Sequence, residues 1–176
     1  MSTKVRYAEY WDTSVPASEV VWITEDEARR RYESGEAFSA IGSSVARQES
    51  PLQRWTFTVG ASGNVRVAFF DRHGTHRRTI DYRAVDGMLW RRATFDLDYP
   101  DCERHYHRVR STRRRKARFE LDGHVRVEVT DKTVDPGTRD VFTNDDMTIP
   151  SFWMTRPSFG EWDELTDPEF GAAPTT

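Results

Sequence analysis

His105 and His107 flank Tyr106 in a segment rich in arginine. In a strand, residues two apart face the same side, so both imidazoles could reach one ion or one polar ligand. A metal site of this kind needs a third ligand close by. Here Arg108, Val109, Arg110 and Ser111 follow, and the next glutamate is Glu120. The neighbouring arginines would also repel a cation. The pair therefore reads as a polar strand face suited to an anion, and no metal is expected. Asp96, Asp98 and Asp101 lack the glycine and later glutamate of a calcium loop. Cys102 sits beside Glu103 and near His105, but a thiol nucleophile needs a base in contact and a third group to orient it. No cofactor motif is present, and none is expected to bind.

Arg113, Arg114, Arg115 and Lys116 form the densest charge run. The net charge of -3 hides a segregation. Residues 1–62 carry -2, residues 63–126 carry +7, and residues 127–176 carry -8. The acidic end can fold back on the basic middle, or the basic middle can meet an outside anion. We expect the first for stability, and we expect the Arg113–Lys116 run to stand free at a hairpin loop as a partner-binding surface. Nucleic acid is disfavoured: only Tyr106 and Phe119 interleave the run, the pI is about 6.0, and no helix-turn-helix, zinc-finger or RNA-binding signature occurs.

These residues must be positioned by hairpins. Trp55, Phe57 and Val59 alternate with Arg54, Thr56 and Thr58; after Gly60 to Asn64, Val65, Val67 and Phe69 alternate with Arg66 and Ala68. Asp86-Gly87 and Asp122-Gly123 repeat the pattern, each leading into alternating strands, a strong hairpin signal because such turns need positive φ. Gly63, Gly87 and Gly123 are each followed by an aspartate, Asp71, Asp96 and Asp131, and the middle copy carries one extra residue, which predicts a β-bulge. Trp55, Phe57, Val59, Val65, Val67, Phe69, Val125, Val127 and Val129 should be buried together, with Arg54, Arg66 and Arg126 on the other side. Lys4 to Trp11 and Glu19 to Ile23 read as further strands. One surface helix is expected near 24–34: Thr24 and Glu27 form a capping box, and Gly35 stops it.

The chain thus predicts a mainly β fold, an antiparallel meander closing into a small barrel, for which a calycin or lipocalin-like form is an option, or a strongly curled sheet. Residues 1–176 read as a single domain, in which 135–170 form an irregular, aromatic- and acid-rich segment docked on the body and 171–176 a loose tail. Thr79-Ile80-Asp81-Tyr82-Arg83, with Gly87-Met88, resembles a stretch of the bacterial phenolic acid decarboxylases. Those are small lipocalin-like barrels in which a lumenal arginine and tyrosines hold a phenolic acid's carboxylate. The resemblance is confined to these residues and implies a ligand role for Arg83; the family's downstream glutamate strand falls here on the arginine-rich run.

One cysteine, no apolar leader between Met1 and Tyr10 and no long apolar run predict a cytoplasmic protein with no membrane contact. Two functions fit. The first is a binding or interaction module, immunity- or regulator-like, recognising a protein partner through the basic hairpin. The second is a small barrel enzyme or carrier holding an anionic or aromatic molecule. Its candidate ligand-binding residues are Tyr82, Arg83, Trp90, Arg92, His105 and His107. No catalytic residue is assigned.

Overall fold

The computed structural model describes residues 3–11, 17–44, 52–145 and 152–169. It is mainly antiparallel β, with eleven strands in one sheet and one α-helix among the described residues. The strands are β1 (Thr3–Ala8), β2 (Trp22–Ile23), β3 (Phe38–Ser44), β4 (Leu52–Val59), β5 (Val65–Phe70), β6 (His76–Val85), β7 (Met88–Asp98), β8 (Arg113–Phe119), β9 (Val125–Asp131), β10 (Thr138–Asn144) and β11 (Trp153–Thr155), and the helix is α1 (Glu25–Ser34). From β3 to β10 each strand pairs with the next in the chain. β1 lies beyond β3 and β2 beyond β1. β11 pairs with Met88 to Trp90, along the part of β7 that β8 leaves free. No ladder joins β2 to β10 among the described residues, so the sheet is open.

The turns follow the local chemistry. Asp86 and Gly87 have φ of 49° and 79° and join Val85 to Met88 as a two-residue turn whose twist matches the strands it connects. The expected bulge is in β7: Tyr82 faces Arg91 while Asp81 faces Ala93, which leaves Arg92 as the extra residue. The bulge shifts parity, so Leu89 and Arg91 point to one face and Ala93 and Phe95 to the other.

In α1, Thr24 Oγ1 accepts the Glu27 N–H at 3.2 Å, and at the other end Gly35, at φ 76°, donates its N–H to the Arg31 carbonyl, which also accepts the Glu36 N–H at 2.8 Å. Only half of the capping box forms. The Glu27 carboxylate turns instead to Arg30 and Arg31, at 2.9 and 2.7 Å, which hold its pKa down at about 2. A charged guanidinium offers a stronger hydrogen bond than the cap's own N–H.

The inner face of the sheet carries the core. Trp55, Phe57 and Val59 of β4, Val65, Val67 and Phe69 of β5, and Ile80 and Tyr82 of β6 are buried there beneath α1 and residues 152–165. Trp162 fills the centre, with its ring 4.8 Å from Phe57, 5.4 Å from Tyr32 and 5.3 Å from Phe159. Gly42 faces Trp55 across the β3–β4 ladder, and a Cβ there would lie 2.2 Å from the indole, so only glycine lets the tryptophan lie flat on the sheet.

Several expectations change. β1 ends at Ala8, and Trp11 leaves the face of Val5 and Tyr7 to pack with Ala8, Val20 and Ile41 on the other side. Glu19 to Ile23 is a 3-10 turn followed by a two-residue strand, too short to be more than an edge. Residues 135–170 are not wholly irregular: Thr138 to Asn144 add β10 to the sheet, because β9 offers a free edge. Val125 is buried, but Val127 and Val129 are half-buried, since no core residue of the main cluster comes from β8, β9 or β10. Arg54, Arg66 and Arg126 are exposed, as their parity requires. The 171–176 tail lies outside the described residues. No helix of the described residues is long and apolar enough to cross a membrane.

Candidate functional site

The outer face of the sheet holds the chemistry. Register sets its rows. Thr58, Arg66, Asp81, Ala93, Arg118 and Arg126 follow one another across β4 to β9. The next row runs Thr56, Ala68, Thr79, Phe95, Lys116 and Glu128. Over the second row folds the 99–112 connection, pinned by Tyr106. The Tyr106 ring stacks on Tyr99 at 5.6 Å, its hydroxyl donates to Asp101 at 2.6 Å, and its N–H donates to Thr75 Oγ1 at 3.0 Å. The connection delivers Arg108, whose guanidinium lies 4.7 Å above the Phe95 ring.

Between these elements lies a cleft of about 510 Å³. Six cationic side chains line it: Arg66, Arg83, Arg92, Arg108, Lys116 and Arg118. Two acids do, Asp81 and Glu120. Asp81 is engaged by Arg66 at 2.6 Å, and the adjacent Glu128 by Arg139 at 3.0 Å. Arg83, Arg92, Lys116 and Arg118 have no ion-pair partner among the described residues. Arg118 stands directly opposite Arg126. Like charges directly opposed on a sheet destabilise it, so this arrangement works against folding unless an anion relieves it. The bulge at Arg92 matters here, because the parity shift after it puts Ala93 and Phe95 on the cationic face beside Arg92.

Of the candidate ligand residues, the structure brings Arg83, Trp90 and Arg92 together in this cleft, and His105 and His107 in a depression beside it. Tyr82 goes elsewhere. It points to the inner face, 1% exposed, because its neighbour Arg83 points outward and strand side chains alternate. Burial pushes its hydroxyl up to about 12, and the hydroxyl has no hydrogen-bond partner among the described residues. His105 and His107 do not lie on a strand. They belong to the 99–112 connection, exposed on either side of buried Tyr106. The Arg113–Lys116 run is not a hairpin tip either. It forms most of β8, paired with β7 on one side and β9 on the other. The strand splits the run: Arg114, hydrogen-bonded to Ser111 at 2.7 Å, and Lys116 face outward, whereas Arg113 and Arg115 point to the other side. There they reach Asp131 and Asp96 only at 4.0 and 3.9 Å. The described acids of the C-terminal segment do not neutralise β8; Glu169 meets Arg78 instead, at 3.2 Å.

No group of three or more His, Cys, Asp or Glu side chains that could hold a metal comes together among the described residues. Cys102 is exposed and free. The sequence reading missed the facing pair Arg118 and Arg126, and the roles of Arg108 and Phe95. The hairpin closes between Glu120 and His124, so counting outward from a two-residue Asp122-Gly123 turn would have set Arg118 against Val127 and missed the first. Nothing local signals the second, because it depends on where the 99–112 connection lands.

No protein-family model, no curated protein and no solved structure matches this chain. The likeness around Arg83 therefore remains a short local one, and the site is read on its own geometry.

Proposed function

We propose that this protein is a binding module whose cationic outer face takes a small anionic ligand in the cleft between β6 and β8. One observation carries the reading: Arg83, Arg92, Lys116 and Arg118 converge on a concavity whose two lining acids are Asp81, already paired to Arg66, and Glu120, so its cations outnumber the carboxylates free to meet them. The cleft's size falls within the ordinary range of ligand sites, roughly 300–1,000 Å³. Convergent guanidinium groups suit carboxylate and phosphate oxygens, which accept their hydrogen bonds in pairs. Because the ladders leave β2 and β10 unjoined, the ligand is placed against an open sheet face rather than in a barrel lumen.

Titration with inorganic pyrophosphate at low salt, followed by backbone amide NMR, tests this. Amides from Arg92 to Phe95 and from Lys116 to Arg118 are expected to shift and to saturate. Lys116→Ala combined with Arg118→Ala is expected to weaken binding by about tenfold or more, about 1.4 kcal/mol. Shifts that never saturate, or a double variant that binds like the parent, would overturn the reading.

A second reading rests on Arg113 and Arg115, which stand away from the cleft with only long contacts to acids. They fit an acidic protein surface, as an immunity- or regulator-like partner would present, acting mainly on encounter and specificity. Arg113→Glu with Arg115→Glu separates the two: it should leave pyrophosphate binding intact and remove only the protein partner.

A further inference from the structure

A second depression, of about 370 Å³, adjoins the cationic cleft on the same face. The two share Arg66, Thr79 and Arg108 as lining, so they form one continuous trough divided by the Arg66–Asp81 ion pair. Their chemistry differs. The floor of the second depression is Thr56, Ala68 and Thr79, consecutive in one cross-strand row. On the inner side of the same strands the neighbouring positions are Trp55, Phe57, Val67, Phe69 and Ile80, so the strands place their bulk below and leave space above. The walls are aromatic. Trp11 meets Phe70 edge-on at 6.5 Å, Phe70 lies 5.5 Å from His76, and Tyr106 and Tyr10 close the sides. His76 bonds Thr79 Oγ1 at 2.8 Å, and burial, with Arg108 nearby, keeps its imidazole below its ordinary pKa and so neutral. Among the described residues the lining holds no aspartate or glutamate.

We infer that the trough is a single bipartite site, in which the second depression takes the aromatic ring of a ligand whose anionic group sits among Arg92, Lys116 and Arg118. This deepens the reading of the cationic cleft and rests on it. The occupant follows from continuity and charge. A ring over the Ala68 position and an anion over β7, which Lys116 reaches from β8, are two strand spacings apart, about 10 Å. That is longer than a single ring bearing one phosphate or carboxylate, and it suits a fused two-ring system that carries the anion at its far end. Arg108 then lies between the two parts, where it can donate to the anion and stack on the ring.

Calorimetric titration of the full chain at low salt with inorganic phosphate and with 4-methylumbelliferyl phosphate tests the inference, because the two probes share an anion and differ by the ring. The aryl phosphate is expected to bind about tenfold or more tightly than phosphate. Ala68→Phe, which fills the floor, and Trp11→Ala, which removes a wall, should each abolish that advantage and leave phosphate affinity unchanged. Equal affinity of the two probes overturns the inference while the cationic cleft stands. So does a ring advantage that survives in both variants, provided each melts cooperatively. Absence of binding by either probe overturns the cationic cleft as well.

Discussion

The hairpins β4–β5 and β8–β9 are written in the same alternation and end up in different circumstances. In β4–β5, every apolar side chain of the inner parity is buried, between 0% and 8% exposed, beneath α1 and the C-terminal segment. In β8–β9 the matching parity carries Ala117, Phe119, Val125, Val127 and Val129, of which Phe119, Val127 and Val129 are only half-buried. The outer parities differ as well. β4–β5 places Thr58 opposite Arg66, whose guanidinium is satisfied by Asp81. β8–β9 places Arg118 opposite Arg126, and neither has an ion-pair partner among the described residues. Alternation therefore selects a face, but the covering elements decide whether that face is buried or left open.

Core truncation should give the largest contrast. Phe57→Ala is expected to cost about 3–5 kcal/mol, since Phe57 is 1% exposed and packs on Trp162 and Phe38. Val127→Ala should cost about 1 kcal/mol or less. Urea unfolding of both variants measures the difference, and similar losses would break the comparison.

The buried tyrosine on the inner face should show itself at alkaline pH. Tyr82 is held protonated in the fold, its pKa carried from 10.0 to about 12 by burial, with Arg91 opposing the shift. Its contribution to stability is fully present below about pH 10 and is lost as pH rises through about 12; a shift of that size corresponds to about 3 kcal/mol. Stability should thus fall steeply above pH 10, and Tyr82→Phe should flatten that fall. At neutral pH the same variant should be as stable as the parent or more so, because the hydroxyl it removes is buried without a partner among the described residues. A marked loss of stability at pH 7 would show that the hydroxyl is bonded after all.

The smallest effect belongs to the outer face. Arg126→Thr removes a like-charge pair and should stabilise the protein by a few tenths of a kcal/mol, up to about 1. The gain should shrink in high salt, which screens exposed charges. The same substitution should not improve binding of pyrophosphate. Destabilisation by Arg126→Thr at low salt would mean that the pair is not repulsive in the fold, and would remove an argument for an anion on this face.

The local features were legible in the sequence for local reasons. Positive φ at Asp86 and Gly87 fixes a turn, the turn fixes register, and register fixes which parity of β4 to β7 is apolar. Thr24 and Gly35 bound α1 in the same way, through backbone groups within one helical turn. Even the separation of Tyr82 from Arg83 is implied by alternation, although grouping both as ligand residues overlooked it. The site was less legible, because each of its parts depends on distant segments. Phe95 joins the cleft through a bulge at Arg92 whose position is set by pairing with β6. Arg108 and Phe95 meet because the 99–112 connection folds back over the sheet, held by Tyr106 on Thr75 and Asp101. β8 is an interior strand because β9 and β7 both pair with it, which spreads an apparently contiguous basic run over two faces. Which acid neutralises which arginine is likewise a matter of distance in space: composition records an acidic end and a basic middle, and only the tertiary structure decides that, among the described residues, acids reach Arg113 and Arg115 at long distance and leave Lys116 and Arg118 unpaired.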